Sequence, residues 1–151
     1  MEKKLKDILV PVDFQKPSEQ ALKYAVNMGK QFNLDITILH VIETPGILSD
    51  FFGKSNTEDL VKLTNQIKDK LQKMIDELKT ETSAIKINSR VERGKLHQKI
   101  LSVADDINAR MIILGENHQG EEGSKDLGSM VYHVTLKSPV LVLTLKGNIE
   151  K

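Results

Sequence analysis

At 151 residues, with 39% apolar and 28% charged side chains, the chain has the length and composition of one globular domain with its own core and a well-solvated surface. Its 22 lysines and arginines against 21 acidic residues leave a net charge of +1, too little to draw nucleic acid or an anionic membrane, and 4% aromatic content offers little for base stacking. The absence of cysteine removes disulfides, thiolate metal sites and thiol nucleophiles, and no window reaches the roughly 18 apolar residues of a membrane span.

The first residues, Met1-Glu2-Lys3-Lys4-Leu5-Lys6-Asp7, are charged and unlike a signal peptide, so a cytoplasmic protein without membrane or nucleic-acid partners is expected. Ile8-Leu9-Val10-Pro11-Val12 is a short apolar run suited to a strand covered on both faces, with Pro11 near its end because proline lacks a donor. Residues 13–16 turn the chain, and Pro17-Ser18 marks a helix start. Ala21, Leu22, Ala25, Val26, Gly29 and Phe32 follow at helical spacing. Residues 35–42 form the second predicted strand. Residues 43–56 hold Pro45, Gly46, Gly53 and the adjacent Phe51 and Phe52, a loop expected to be mobile or covered by a partner, whose two phenylalanines could cover part of a dimer contact or of the pocket mouth.

A long helix is predicted over 57–82, with Leu60, Leu63, Ile67, Leu71, Met74, Ile75 and Leu78 on one face and acids in its first turn. Residues 84–92 alternate Ile85, Ile87 and Ser89 with Lys86, Asn88 and Arg90, the pattern of a half-exposed strand ending at Gly94. Leu96, Ile100, Leu101, Val103, Ala104 and Ile107 make a third helical stripe. A strand at 111–114, a glycine-containing loop, a helix over 129–137 and a last strand over 139–145 complete the chain. Strands alternating with helices imply an α/β fold, a doubly wound parallel sheet with helices on both faces, in a single domain over 1–151.

The stretch Met111-Ile112-Ile113-Leu114-Gly115, the loop to Leu127 and the Gly128-Ser129 pair opening the last helix form a strand, glycine loop and helix N-terminus. This arrangement holds phosphate in many α/β proteins, because glycine lets the backbone approach an anion and free N–H groups point at it. The loop is acidic: Glu116, Glu121, Glu122 and Asp126 against the single Lys125 leave −3, so polyphosphate would require a divalent ion, or acids turned to solvent.

Several of these pieces resemble the universal stress protein family over essentially the whole chain. They are Ile8-Leu9-Val10-Pro11-Val12-Asp13, Leu39-His40-Val41-Ile42, Gly94 before the third helix, and Ser138-Pro139-Val140-Leu141-Val142-Leu143. The ATP-binding branch carries G-x2-G-x9-G-[ST] after the fourth strand. Here Gly115 and Gly128-Ser129 match its first and third places, and His118 stands at the second. The resemblance implies a five-stranded parallel sheet of order 3-2-1-4-5, whose switch point between strands one and four makes a crevice for a ligand.

It also implies a site for ATP or a related adenine nucleotide, with magnesium or manganese. In nucleotide-binding relatives the aspartate and the second-strand valine, here Asp13 and Val41, meet the nucleoside end, and the glycine loop with its Gly-Ser pair, here Gly115 and Gly128-Ser129, meets ribose and phosphates. Pro11, Val12, Leu114, Asn117, His118 and Met130 complete the implied site. The same positions have plainer uses: Asp13 capping a turn, Val41 as core, Ser129 capping a helix.

Catalysis has less support. His40, His97, His118 and His133 lack metal-ligand spacing, His40 reads as a satisfied core residue, and His97 and His133 read as surface or packing residues. No serine has a nucleophile-elbow context, and the chain reads as a binding protein rather than an enzyme. Val140-Leu141-Val142-Leu143-Thr144-Leu145 is apolar on both faces yet would be an edge strand, and relatives pair it with a two-fold mate, so the resemblance implies a homodimer. Three functions stay open: a nucleotide-binding stress-response module, a nucleotide-free dimeric adaptor, and a slow ATPase or nucleotidyl-transfer enzyme.

Overall fold

The computed structural model describes residues 7–43, 57–116 and 129–146, without the side chains of 57 and 129. Within them the chain runs β1 (Asp7–Pro11), α1 (Lys16–Phe32), β2 (Asp35–Ile42), α2 (Thr57–Lys79), β3 (Ile87–Arg93), α3 (Leu96–Asp106), β4 (Ala109–Gly115), α4 (Ser129–Lys137) and β5 (Leu141–Leu145). All strand pairs are parallel, in the order β3-β2-β1-β4-β5. That is the predicted doubly wound sheet.

Alternation along each strand sorts the core into two layers. Ile8, Val10, Ile36, Ile38 and Ile113 face α1 and α2, where they meet Ala21, Leu22, Ala25, Ile67, Leu71 and Ile75. Leu9, Leu39, Val41, Ile112 and Leu114 face α3 and α4, against Ile100, Val103, Ala104 and Val134. Ile8, Leu9 and Val10 are all fully buried, as a central strand covered on both faces requires.

Element ends depart from the predicted ones where side chains or tight turns take over the backbone donors. The long helix stops at Lys79 rather than at 82, because Thr80 N and Glu81 N bond three residues back, to Glu77 O and Leu78 O. Residues 84–86 precede β3 instead of opening it: Ala84 N donates to Thr82 Oγ1 and Lys86 N to Asp35 Oδ1. The last strand starts at Leu141, since Ser138 Oγ donates to Val140 O and accepts from Val140 N. Leu63 is exposed although it lies on the predicted apolar stripe of α2. A 23-residue helix is roughly 35 Å long, longer than strands of five to eight residues, so only its part from Ile67 onward reaches the sheet.

At the strands' carboxyl ends β1 and β4 are neighbours, and the chain leaves them for opposite faces of the sheet: α1 packs on the first layer, α4 on the second. This divergence opens the gap in which the predicted crevice lies. No helix among the described residues is long and apolar enough to cross a membrane.

Candidate functional site at the β1–β4 switch point

Past the last paired residue of β1 the backbone stays tied to β2. Val12 N donates to Leu39 O at 2.8 Å, and His40 Nδ1 lies 2.8 Å from Val12 O, so the imidazole carries its proton on Nδ1 and donates it there. His40 is thus satisfied, as expected of a core residue, but it is half-buried at the strand end rather than in the core. The next residues form a tight turn. Asp13 Oδ1 accepts from Gln15 N at 2.9 Å and from Ser18 Oγ at 2.8 Å, while Asp13 N donates back to Ser18 Oγ at 3.2 Å. Phe14, at the tip, has φ = 63°, a left-handed conformation that side chains with a Cβ seldom adopt. Its ring is 4.9 Å from that of His40 and 5.0 Å from Lys70 Nζ, contacts that hold the turn in place.

Across the gap β4 ends at Gly115. A Cβ there would strike the Pro17 carbonyl, lying 2.5 Å from its carbon and 2.9 Å from Ser18 N. Glycine therefore lets the first turn of α1 close against the end of β4. Between these walls lies a notch of about 60 Å³. Pro11 of β1 and Val12 and Asp13 of the turn after it line one side, and Leu114 and Gly115 of β4 the other; Met130 of α4 reaches it from the second layer. Six of the eleven expected site residues thus meet.

Val41 does not line the notch; it is buried in the layer beneath α3. Its position in the strand follows from the register that pairs it with Glu92. Ser129 opens α4, whereas Asn117, His118 and Gly128 lie outside the described residues. Two lining residues were not foreseen. Leu96, the first residue of α3, was read only as core stripe, and Ser18 only as a helix-start signal. A hydroxyl at the start of the helix that follows a strand-end aspartate was the available clue.

Behind Leu96 and Met130 the helices α3 and α4 meet through two stacked imidazoles, those of His97 and His133, with centroids 4.7 Å apart and planes at 25°. Tyr132 meets His133 edge-on at 5.6 Å. His133 Nδ1 is buried without a hydrogen-bond partner among the described residues. Burial holds His97 below the ordinary imidazole range, helped by repulsion from His133, Lys137 and Lys95. Among the described residues no group of three or more histidines and carboxylates could hold a metal ion. The notch offers an apolar floor formed by Pro11, Val12, Leu96, Leu114 and Met130, with the Asp13 carboxylate and the Ser18 hydroxyl at its side.

Known proteins share this architecture. Universal stress protein MJ0577 of Methanocaldococcus jannaschii is 30% identical over 161 residues, covering 95% of this chain and 97% of that protein. Its structure superposes with a TM-score of 0.78, over 96% of this chain and 98% of the other. Two more distant structures share the fold. One is a universal stress protein in complex with cAMP (TM-score 0.69, 19% identity, 93% and 96% coverage). The other comes from Archaeoglobus fulgidus, in complex with dAMP (TM-score 0.65, 17% identity, 93% and 97% coverage). The model of the universal stress protein family matches residues 4–146, and with strand order and switch point in agreement, the chain belongs to that family.

Proposed function

We propose that the protein is an adenine-nucleotide-binding module of the stress response, acting in the cytoplasm as a homodimer and by binding rather than by turnover. The observation that carries this reading is the meeting of Asp13 and Gly115, from distant parts of the chain, at one notch on the switch point of the sheet. The cAMP and dAMP complexes of fold-sharing family members support an adenine ligand at this kind of domain. ATP is the nucleotide that the Gly115 and Gly128-Ser129 pattern favours, and magnesium or manganese would offset the charge of −3 between Glu116 and Leu127.

The described residues supply only the floor of such a site: about 60 Å³ is small beside the roughly 300 Å³ or more of a pocket that encloses a drug-sized ligand. Pro11, Val12 and Leu114 would face the nucleoside, Asp13 would accept its hydrogen bonds, and Ser129 and Met130 would stand nearest the phosphates. The dimer would form along β5, an edge strand on which Leu141 is 68% exposed, beside the exposed Tyr132 and Leu136 of α4.

A nucleotide-free dimeric adaptor is the second reading, favoured by one observation: the packing of Pro17 on Gly115 already accounts for that glycine without a ligand. Calorimetric titration of the purified protein with ATP, with and without magnesium, decides between the two. Saturable binding of one nucleotide per chain supports the first. No heat and no retained adenine nucleotide would leave the adaptor, provided sedimentation still reports a dimer.

A further inference from the structure

We infer that the Ser18 hydroxyl is a positioning group for the Asp13 carboxylate, setting the orientation in which that carboxylate meets a nucleotide; this rests on the nucleotide reading above. Ser18 is the third residue of α1, and the N-cap, Gln15, makes no side-chain capping bond. In an ordinary helix start the N-cap side chain satisfies the first free N–H groups. Here the Ser18 side chain points backwards instead, five residues upstream. Its oxygen accepts from Asp13 N at 3.2 Å, and its single proton lies between Asp13 Oδ1 at 2.8 Å and Gln15 O at 3.0 Å.

Two donors, Ser18 Oγ–H and Gln15 N–H, therefore converge on the same carboxylate oxygen. Both bonds hold the Asp13 carboxylate at one oxygen, so part of its ordering precedes the arrival of a ligand. Ser18 is 7% exposed, and its own N–H lies against the place where a side chain at position 115 would project. One residue thus ties the end of β1, the start of α1 and the end of β4 into a single unit. The Ser18 hydroxyl lines the notch but its proton is shared between Asp13 Oδ1, the nearer acceptor, and Gln15 O, so its influence on a ligand runs through the carboxylate.

Two measurements on the full chain test this. In nucleotide-free protein, carbon–nitrogen couplings across the Asp13 side chain report its rotamer. The wild type should show one rotamer and Ser18→Ala an average of several. A single rotamer in both proteins would overturn the inference whether or not any nucleotide binds. Calorimetry with ATP then completes a cycle of wild type, Ser18→Ala, Asp13→Asn and the double variant.

Ser18→Ala should weaken binding about tenfold, in line with a hydrogen bond to a charged group. The same change in the Asp13→Asn background should weaken it far less. An equal loss in both backgrounds would show that Ser18 acts through the helix start and would overturn the positioning role. Absence of binding by the wild type would instead overturn the nucleotide reading, and the rotamer measurement would still decide the part played by Ser18.

Discussion

Among the described residues two hollows at opposite ends of the strands invite comparison. The groove at the amino end, between the last turn of α2 and the start of β3, has about 360 Å³ and is lined by Lys79, Thr82, Ser83, Lys86 and Asn88 among others. The notch at the carboxyl end has about 60 Å³. Volume favours the groove, yet the way each is built favours the notch. The groove's residues come from one continuous stretch, 79–88; Thr82 Oγ1 serves the turn at Ala84, and both lysines are exposed. The notch draws on β1, α1, α3, β4 and α4, and its carboxylate is held by two donors. Convergence of separate elements, with a polar group held in place, separates a site from a surface depression better than size does.

The largest effect that would test this contrast is at Gly115. In Gly115→Ala the new methyl meets backbone atoms of Pro17 and Ser18, which cannot swing aside as a side chain tip can. A loss of about 3 kcal/mol in urea unfolding is expected, the upper part of the range for overpacking. A change below about 0.5 kcal/mol would mean that the α1–β4 contact is looser than its geometry implies.

A smaller effect separates the two hollows directly. Asp13→Asn should reduce ATP affinity on the order of 10- to 100-fold, the cost of weakening a charged hydrogen-bond acceptor. Lys86→Ala, in the groove, should leave affinity unchanged. Equal losses in the two variants would place the ligand elsewhere or show a nonspecific effect on the fold.

The contrast also shows what a sequence can disclose. Element types and strand faces were legible because buried parallel strands such as 8–12 and 35–42 read as apolar runs, and α1 and α3 carry clean stripes. The two halves of the notch were legible because Asp13 closely follows the first strand and Gly115 ends the fourth. Hydrogen bonds that bypass the regular pattern were not. The bonds that start β3 late and α1 with an uncapped Gln15 come from Thr82, Asp35 and Ser18, whose partners no periodicity announces. Val41 was carried to the crevice by resemblance, and its burial beneath α3 reflects the alternation of β2 with Leu39 on the same side. The stacking of His97 on His133 was also hidden: they are far apart in sequence, and only the docking of α3 beside α4 brings them together.

That stacked pair gives the smallest predicted effect: it joins the two helices that carry Leu96 and Met130 of the notch, although no histidine lines either hollow. His97 is held below its ordinary value of 6.5, chiefly by burial and then by His133, Lys137 and Lys95. The facing residues of β2 and β4, Leu39, Val41, Ile112 and Leu114, carry no charge to offset this.

Above pH 6.5 neither the folded nor the unfolded chain holds a proton on His97, and the residue contributes no pH dependence. Below 6.5 the unfolded chain takes up the proton first, so stability falls with acidification until the pH passes the lowered folded value. His97 is only half-buried, and water screens much of the repulsion, so the effect should be about 0.5 kcal/mol or less. Urea midpoints at pH 7.5 and pH 5 should therefore differ less in His97→Gln than in the wild type. Identical pH dependence in the two proteins would mean that His97 binds its proton equally well in the folded and the unfolded chain, so that its packing against His133 does not perturb it.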